Sequence, residues 1–176
     1  MNRTELEIKL NQDRAWTLET WRSLSTEDLT RGITNSRHDP NVTWSAKDHL
    51  AHLAGIEAAF NAMIRRYIGG DPNPISVLKN PDGSVRSREE ILTQVHAMND
   101  SWVQKHRDKS LSEIIALGQR IRSETLALIS ELTDEQLLEK LPGAPWGDGT
   151  IGGVLAINGE HARQHHGWVS GRLSEK

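Results

Sequence analysis

Residues 45–70 of the 176-residue chain read SAKDHLAHLAGIEAAFNAMIRRYIGG and have the pattern of one long helix. Ser45 is followed three positions later by Asp48, a pairing that approximates a capping box at a helix N-terminus. Apolar side chains then recur at helical spacing. The pattern ends at Gly69-Gly70, because glycine tolerates the left-handed conformation that closes many helices. An amphipathic helix is therefore predicted over about residues 45–68.

Similar signals for helix starts recur along the rest of the chain: Ser or Thr is followed three positions later by Glu or Gln, ahead of apolar runs. Clusters of Pro, Gly, Asn and Asp predict loops over about residues 31–42 and 71–85. No segment shows the sustained alternation expected of a strand. The pattern predicts an all-α chain forming one domain over residues 1–176. Its further helices are expected over about residues 4–24, 87–106, from Ser110 through Ile129, in a short turn from Thr133, and over 150–171.

The composition narrows the class of protein. With 24 acidic and 21 basic residues the net charge is −3, and this mild acidity argues against nucleic acid as a partner. The chain has no cysteine, so any site has to be built without thiolates. The N-terminal segment lacks the pattern of a signal peptide, and no apolar stretch is long enough to span a bilayer, so neither export nor a membrane partner is expected. A cytoplasmic location is the resulting expectation.

The last predicted helix contains Gly159-Glu160-His161-Ala162-Arg163-Gln164-His165-His166. His161 and His165 lie four positions apart, so they project from one helix face and can bind one ion. The same face carries Val154, Ile157 and Trp168, which predicts that the pair points into the protein while His166 points outward. Imidazoles in an apolar face need a metal ion or hydrogen-bond partners to offset their desolvation.

A metal site would need a third ligand, and the helix over residues 45–68 offers His49 and His52. His49 lies nearer the middle of the apolar stripe and His52 nearer its edge. Periodicity therefore favours His49 or neither, and it leaves the choice open. The other histidines, His38, His96 and His106, fall in no comparable pairing and are interpreted as surface or core residues.

Two segments resemble the motifs of the DinB/YfiT-like metalloproteins. Residues 44–53, WSAKDHLAHL, resemble the family segment W-[ST]-x-K-D-x-L-x-H-L, and residues 161–167, HARQHHG, resemble its C-terminal H-x-x-x-H pair. The resemblance extends from the first helix to the last. It implies a four-helix bundle with additional short helices. It also implies one divalent metal ion, most often zinc or nickel, held by His52, His161 and His165.

The same resemblance assigns roles to three neighbouring residues. The family position of His49 is usually apolar, so this histidine is expected in the core or beside the ligands. Trp44 is expected to serve packing. Glu57 is expected to form a salt bridge or to support the ligands rather than bind metal.

Three histidines leave a coordination position open, which is typical of catalytic metal sites. The family includes thiol-dependent transferases and isomerases that use mycothiol, bacillithiol or glutathione. The resemblance therefore implies a metal-dependent transferase that activates a small-molecule thiol toward an acceptor substrate. Because the chain has no cysteine, the thiolate would come from the cosubstrate.

Two other functions remain open at the level of sequence. One is a metal-assisted hydrolase that uses bound hydroxide, with Glu57, Glu160 or Asp48 as base. The other is a non-enzymatic metal-binding protein of a stress response. A homodimer is also left open, since no exposed apolar stripe compels one.

Overall fold

Four long helices form the bundle in the computed structural model, which describes residues 1–175. They are α1 (Arg3–Arg22), α3 (Ala46–Ile68), α5 (Leu111–Glu131) and α7 (Ile151–Ser174). Helix α3 lies mainly against α5 and α7, and α1 lies against the same two helices and touches α3 as well. The all-α bundle predicted from the sequence is confirmed.

The additional elements are not all short. Helix α4 (Arg88–His106) has 19 residues and packs against the outside of α3. Two five-residue helices, α2 (Thr26–Thr30) and α6 (Asp134–Leu138), and one 3-10 turn (Ser76–Leu78) complete the helical elements described. No helix within residues 1–175 is long and apolar enough to cross a membrane.

The helix starts follow the predicted caps closely. Ser45, Ser87, Ser110 and Thr133 each accept a hydrogen bond from the backbone three residues on, and the acidic or amide side chain there bonds back to the cap. Thr150 caps α7 through its hydroxyl alone. At the end of α3 the left-handed residue is Gly70, with φ of +90°. Gly69 keeps a negative φ.

The predicted loop over residues 31–42 is partly a hairpin, so the absence of strands was a wrong prediction here. Strand β1 (Gly32–Asn35) pairs antiparallel with β2 (Thr43–Ser45), which leads directly into α3. Strands of four and three residues are too short to show alternation. A Cβ on Gly32 would lie 2.5 Å from Thr43 Oγ1, so the close approach of the strands requires glycine there. The hairpin lies against α7 through β1.

The apolar core consists of two clusters at different levels of the bundle. One is built around Leu6, Phe60, Leu128 and Val154, and the other around Trp21, Leu50, Ile114 and Val169. Along each long helix the residues between the two clusters include buried polar groups, which we call the polar layer. Its members are Asp13, Thr17, Glu57, Arg122, Thr125 and Asn158.

An ion pair forms the centre of the polar layer. Arg122 Nε donates to Glu57 Oε1 at 2.6 Å, and Nη2 donates to Oε2 at 3.1 Å. Thr125 Oγ1 also donates to Glu57, at 2.7 Å. The predicted salt-bridge role of Glu57 is thereby confirmed, and both oxygens of its carboxylate accept hydrogen bonds inside the bundle.

Candidate metal centre

Three histidines from two helices converge at one place. His52 lies in the second turn of α3, whereas His161 and His165 lie one turn apart on α7. One ring nitrogen from each forms a set whose atoms all lie within 4.8 Å of one another. Within residues 1–175 it is the only group of three or more His, Asp or Glu side chains close enough to hold a metal ion. The residues predicted from the two motifs are therefore brought together.

The three rings are close and mostly buried. The ring centroids of His161 and His165 are 4.5 Å apart, and those of His52 and His165 are 4.8 Å apart. His52 and His165 are only 6% and 4% exposed, and His161 is half-buried. Burial without charged partners favours the neutral imidazole, which is the form that binds metal.

Burial lowers the pKa of each ring accordingly. The pKa of His52 falls from 6.5 to about 3, through burial first and then the neighbouring His161. The pKa of His161 falls to about 4 through burial alone. The pKa of His165 is lowered as well, by burial first and then by His52. At neutral pH all three rings are neutral and offer lone pairs to an ion.

His49 is buried next to this group but plays a different part. Its Nδ1 lies 2.7 Å from Nδ1 of His165, and its Nε2 lies 2.8 Å from Thr34 Oγ1. When His165 donates through Nδ1, its Nε2 keeps a lone pair, and His49 donates through its own Nε2 to Thr34. The reverse arrangement would put the proton of His165 on Nε2 and block that nitrogen. Metal binding by His165 thus selects one tautomer, and His49 and Thr34 can stabilise it.

Two tryptophans support the walls of the site. Trp44 is buried, with ring centroids 5.3 Å from His52 and 5.6 Å from His49, and its Nε1 donates to Asp100 Oδ1 at 3.0 Å. Trp168 packs on His165 at 4.6 Å but remains 40% exposed. Its predicted interior position is therefore only partly right, because it lies where α7 borders an open cavity.

The histidines open onto a cavity of about 630 Å³. Its walls come from the β1–β2 hairpin, α3, α4 and α7. No sequence pattern predicted several of these wall residues, because each is isolated in the chain and only the packing of separate elements brings them together. They include Thr34, Arg37, His96 and Asn99.

The remaining histidines fall in different surroundings. His96 is half-buried in the cavity wall, so its interpretation as an ordinary surface or core residue missed this position. His106 is buried against the Trp102 ring, with centroids 4.4 Å apart, and does not line the cavity. His166 is half-buried beside Trp16 and Trp21 of α1 rather than pointing to solvent, because α1 packs along that side of α7.

The residues present fit a divalent ion. Imidazole nitrogen suits zinc and nickel among other metals, and the three nitrogens are already gathered in one buried place. Hydrogen bonding of a ligand histidine through its other nitrogen is a usual feature of metal sites, and His165 has it. The donor set therefore matches a three-histidine site with room for an exogenous ligand on the cavity side.

The protein is therefore a helical bundle with a candidate metal centre. Its second long helix and its last helix direct three histidines into one cavity. The chain belongs to the DinB superfamily, whose family model matches residues 9–169. No curated protein matches the chain significantly.

Solved structures share the fold over almost the whole chain. An uncharacterised protein from Escherichia coli UTI89 is 17% identical with a TM-score of 0.64, and the alignment covers 98% of this chain and 93% of that one. A Streptococcus pneumoniae protein is 15% identical with a TM-score of 0.66, covering 99% and 91%. The colibactin self-resistance protein ClbS, solved in complex with a dsDNA, is 12% identical with a TM-score of 0.66, covering 99% and 97%. At these identities the likeness shows the fold.

The ClbS complex corrects one expectation. Nucleic acid was excluded as a partner on the net charge of −3, and that exclusion is wrong, because a protein with this fold binds dsDNA. Net charge averages over the whole surface, whereas phosphate contacts depend on where the cationic side chains lie.

The lowered pKa values predict a pH dependence for the metal-free protein. The unfolded chain binds protons at histidine near pH 6.5, whereas the folded chain does so only near pH 3 to 4 at His52 and His161. The unfolded state therefore holds more protons in between, so stability rises with pH there and is lost as pH falls. We expect the free energy of unfolding, measured by urea denaturation with chelator, to decline as pH falls from 6.5 to about 5, above the usual carboxylate range.

One variant tests the origin of this decline, and a second serves as its control. His52→Asn should make the decline shallower, whereas replacement of the exposed His38 by Gln should leave its slope unchanged. A flat profile for the unsubstituted protein between these pH values would contradict the prediction.

Proposed function

We propose that this protein is a metal-dependent transferase that activates a small-molecule thiol, with His52, His161 and His165 as the ligands of one divalent ion. The observation that supports the proposal is the convergence of the three imidazoles within 4.8 Å at the wall of a cavity of about 630 Å³. Three protein ligands leave a position for an exogenous group, and the cavity gives that group access. Zinc or nickel is the expected ion.

Each residue around the site has a part in this function. When bound, the ion would lower the pKa of a thiol in the open position toward deprotonation. In the tautomer that leaves Nε2 of His165 free for the ion, His49 Nδ1 accepts a hydrogen bond from Nδ1–H of His165, and His49 Nε2–H donates to Thr34 Oγ1. Trp44 and Trp168 cover the rings of His52 and His165 and limit access of water from two sides.

The three carboxylates considered as the base of a hydrolase lie away from the cavity. Glu57 is bound to Arg122, and Asp48 accepts hydrogen bonds from Ser45 at the start of α3. Glu160 is exposed. None of these three carboxylates lines the cavity. A thiol needs no such base, since it loses its proton more readily than water does.

The proposal predicts about one equivalent of zinc or nickel per chain, the number that one three-histidine site holds. Metal analysis of protein purified without a histidine tag measures it. Cobalt-substituted protein should then change its absorption spectrum when small thiols are added, while the corresponding alcohols should leave it unchanged. Protein that stays metal-free after incubation with each ion would rule the site out. Bound cobalt that no thiol perturbs would rule out the transferase and favour a non-enzymatic metal-binding role.

Nucleic-acid binding is a second candidate function, favoured by the dsDNA complex of ClbS. Arg37 and Arg88 are exposed, and neither forms an ion pair among the described residues, so both are available to phosphate groups. Titration of labelled duplex DNA at two salt concentrations separates this function from the first, because phosphate contacts weaken steeply with salt.

A further inference from the structure

Two adjoining cavities form one groove that begins at the candidate metal centre. The cavity of about 630 Å³ at the histidines shares Arg37 and His96 with a second cavity of about 470 Å³. The second cavity lies along the first turns of α4, where Arg88 and Thr93 line it. A ligand at the histidines can therefore extend past Arg37 toward α4.

The shared region of the groove is cationic. Arg37 has no ion-pair partner among residues 1–175, whereas Arg172, which also lines the first cavity, is paired with Glu175 at 2.9 Å. The neighbouring His96 is affected by this charge: its pKa is lowered by burial first, and then by Arg37 and His38. The unpaired cation at the junction of the two cavities is thus Arg37.

Arg37 lies close to the candidate metal centre through its contact with Trp168. It lies in the connection of the β1–β2 hairpin, which is closed by a hydrogen bond from Ser36 N to Val42 O at 2.7 Å. The guanidinium carbon lies 5.9 Å from the centroid of Trp168, and Trp168 in turn packs on His165. Arg37 forms no side-chain hydrogen bond among residues 1–175, so its N–H donors are free to bind a ligand. The cation therefore lies next to the ring that packs on His165 and can bind an anion there.

We propose that the cosubstrate is a thiol that carries an anionic group, a carboxylate or a phosphate, and that Arg37 binds this group while the sulfur reaches the three histidines. This inference rests on the proposed function and specifies its substrate class. Guanidinium binds carboxylate and phosphate through paired hydrogen bonds, so both sources of negative charge fit the same residue. A neutral thiol would leave the only unpaired arginine of the shared region without a partner.

Matched pairs of thiols test the proposal. The carboxylate pair is glutathione and its diethyl ester, and the phosphate pair is 4′-phosphopantetheine and pantetheine. Dissociation constants are measured from the spectrum of cobalt-loaded protein. Hydrogen bonds to charged groups contribute enough that, in at least one pair, the charged thiol should bind about tenfold more tightly or better. Arg37→Gln should remove this preference without weakening the neutral thiol, and Arg37→Lys should restore part of it.

Arg120→Gln is the matched control, since Arg120 is an exposed arginine of α5 outside both cavities. It should retain the preference for the charged thiol. The pair that shows the preference identifies carboxylate or phosphate as the recognised group. The proposal is overturned if neither pair shows it, if Arg37→Gln keeps it, or if that variant weakens charged and neutral thiols equally.

A separate measurement distinguishes failure of this proposal from failure of the proposed function. S-methylglutathione retains both carboxylates but has no thiol, and its binding to the protein as purified is measured by calorimetry. If no thiol alters the cobalt spectrum, the transferase proposal fails. Binding of S-methylglutathione that is lost in Arg37→Gln and kept in Arg120→Gln would still support the anion site. The absence of such binding, both by S-methylglutathione and by the S-methyl ether of 4′-phosphopantetheine, would overturn it.

Discussion

Replacement of His52 by alanine is expected to abolish tight metal binding, whereas replacement of His49 should weaken it by about tenfold. His52 belongs to the group of three nitrogens within 4.8 Å, and His49 reaches that group only through its bond to His165. Groups that support metal ligands typically change affinity about 10–100-fold, so the loss of a ligand should exceed that range. Competition with a chromophoric chelator measures both affinities.

His106→Gln is the control for this series, because His106 is a buried histidine that does not line the cavity. It should bind metal like the unsubstituted protein. Thr34→Val should resemble His49→Ala but with a smaller loss, since it removes only the far end of the chain from His165 through His49 to Thr34. A His49 variant that loses the metal while the His52 variant keeps it would show that the ligand set is wrong.

Glu57→Ala is expected to lower the free energy of unfolding by about 3–5 kcal/mol, the usual cost of leaving one partner of a buried ion pair uncompensated. The side chains of Arg122 and Glu57 are only 9% and 6% exposed. Removal of the carboxylate would also deprive Thr125 of its acceptor. Urea denaturation monitored by helical circular dichroism gives the difference.

The exposed pair Arg65–Glu131 provides the matched control. Its side chains are 48% and 57% exposed, so Glu131→Ala should cost about 0–1 kcal/mol. If Glu57→Ala does not fold, the double variant Glu57→Leu/Arg122→Met should recover a folded bundle, because apolar pairs often replace buried ion pairs without loss. Metal content per folded chain should stay constant. Loss of metal without loss of stability would instead assign Glu57 to the metal centre.

The helix starts and the histidine pair of α7 could be read directly from the chain. Capping residues act on backbone groups three positions away, and residues four apart share a helix face in any helix. Ser45 with Asp48 and His161 with His165 are contacts of this local kind. Such patterns stay the same whatever the helices pack against. The all-α prediction is therefore confirmed, and the two histidines of α7 lie side by side as expected.

The choice between His49 and His52 as the third histidine depends on tertiary contacts as well as on the local sequence pattern. Periodicity favoured His49, and both histidines are in fact buried, at 3% and 6% exposure. Their difference depends on which neighbour each ring meets: His49 contacts Thr34 of the hairpin, whereas His52 contacts His161. A helical wheel gives direction relative to one helix axis but not the identity of the facing element. The choice of His52 therefore came from the family resemblance and not from the helical wheel. Metal binding by His52 remains a prediction.

The groove and the polar layer are products of tertiary packing alone. Arg37, His96 and Trp168 come from a hairpin, α4 and α7, and no spacing in the chain relates them. Glu57 and Arg122 are likewise 65 positions apart and meet only because α3 packs against α5. Short-range hydrogen bonding and helical periodicity fix which residues share a face, whereas burial of the apolar faces against one another fixes which faces meet. The local sequence thus determined the helices and the histidine pair of α7. The packing of those helices placed His52 beside that pair, brought Arg37 to the cavity and joined the buried ion pair.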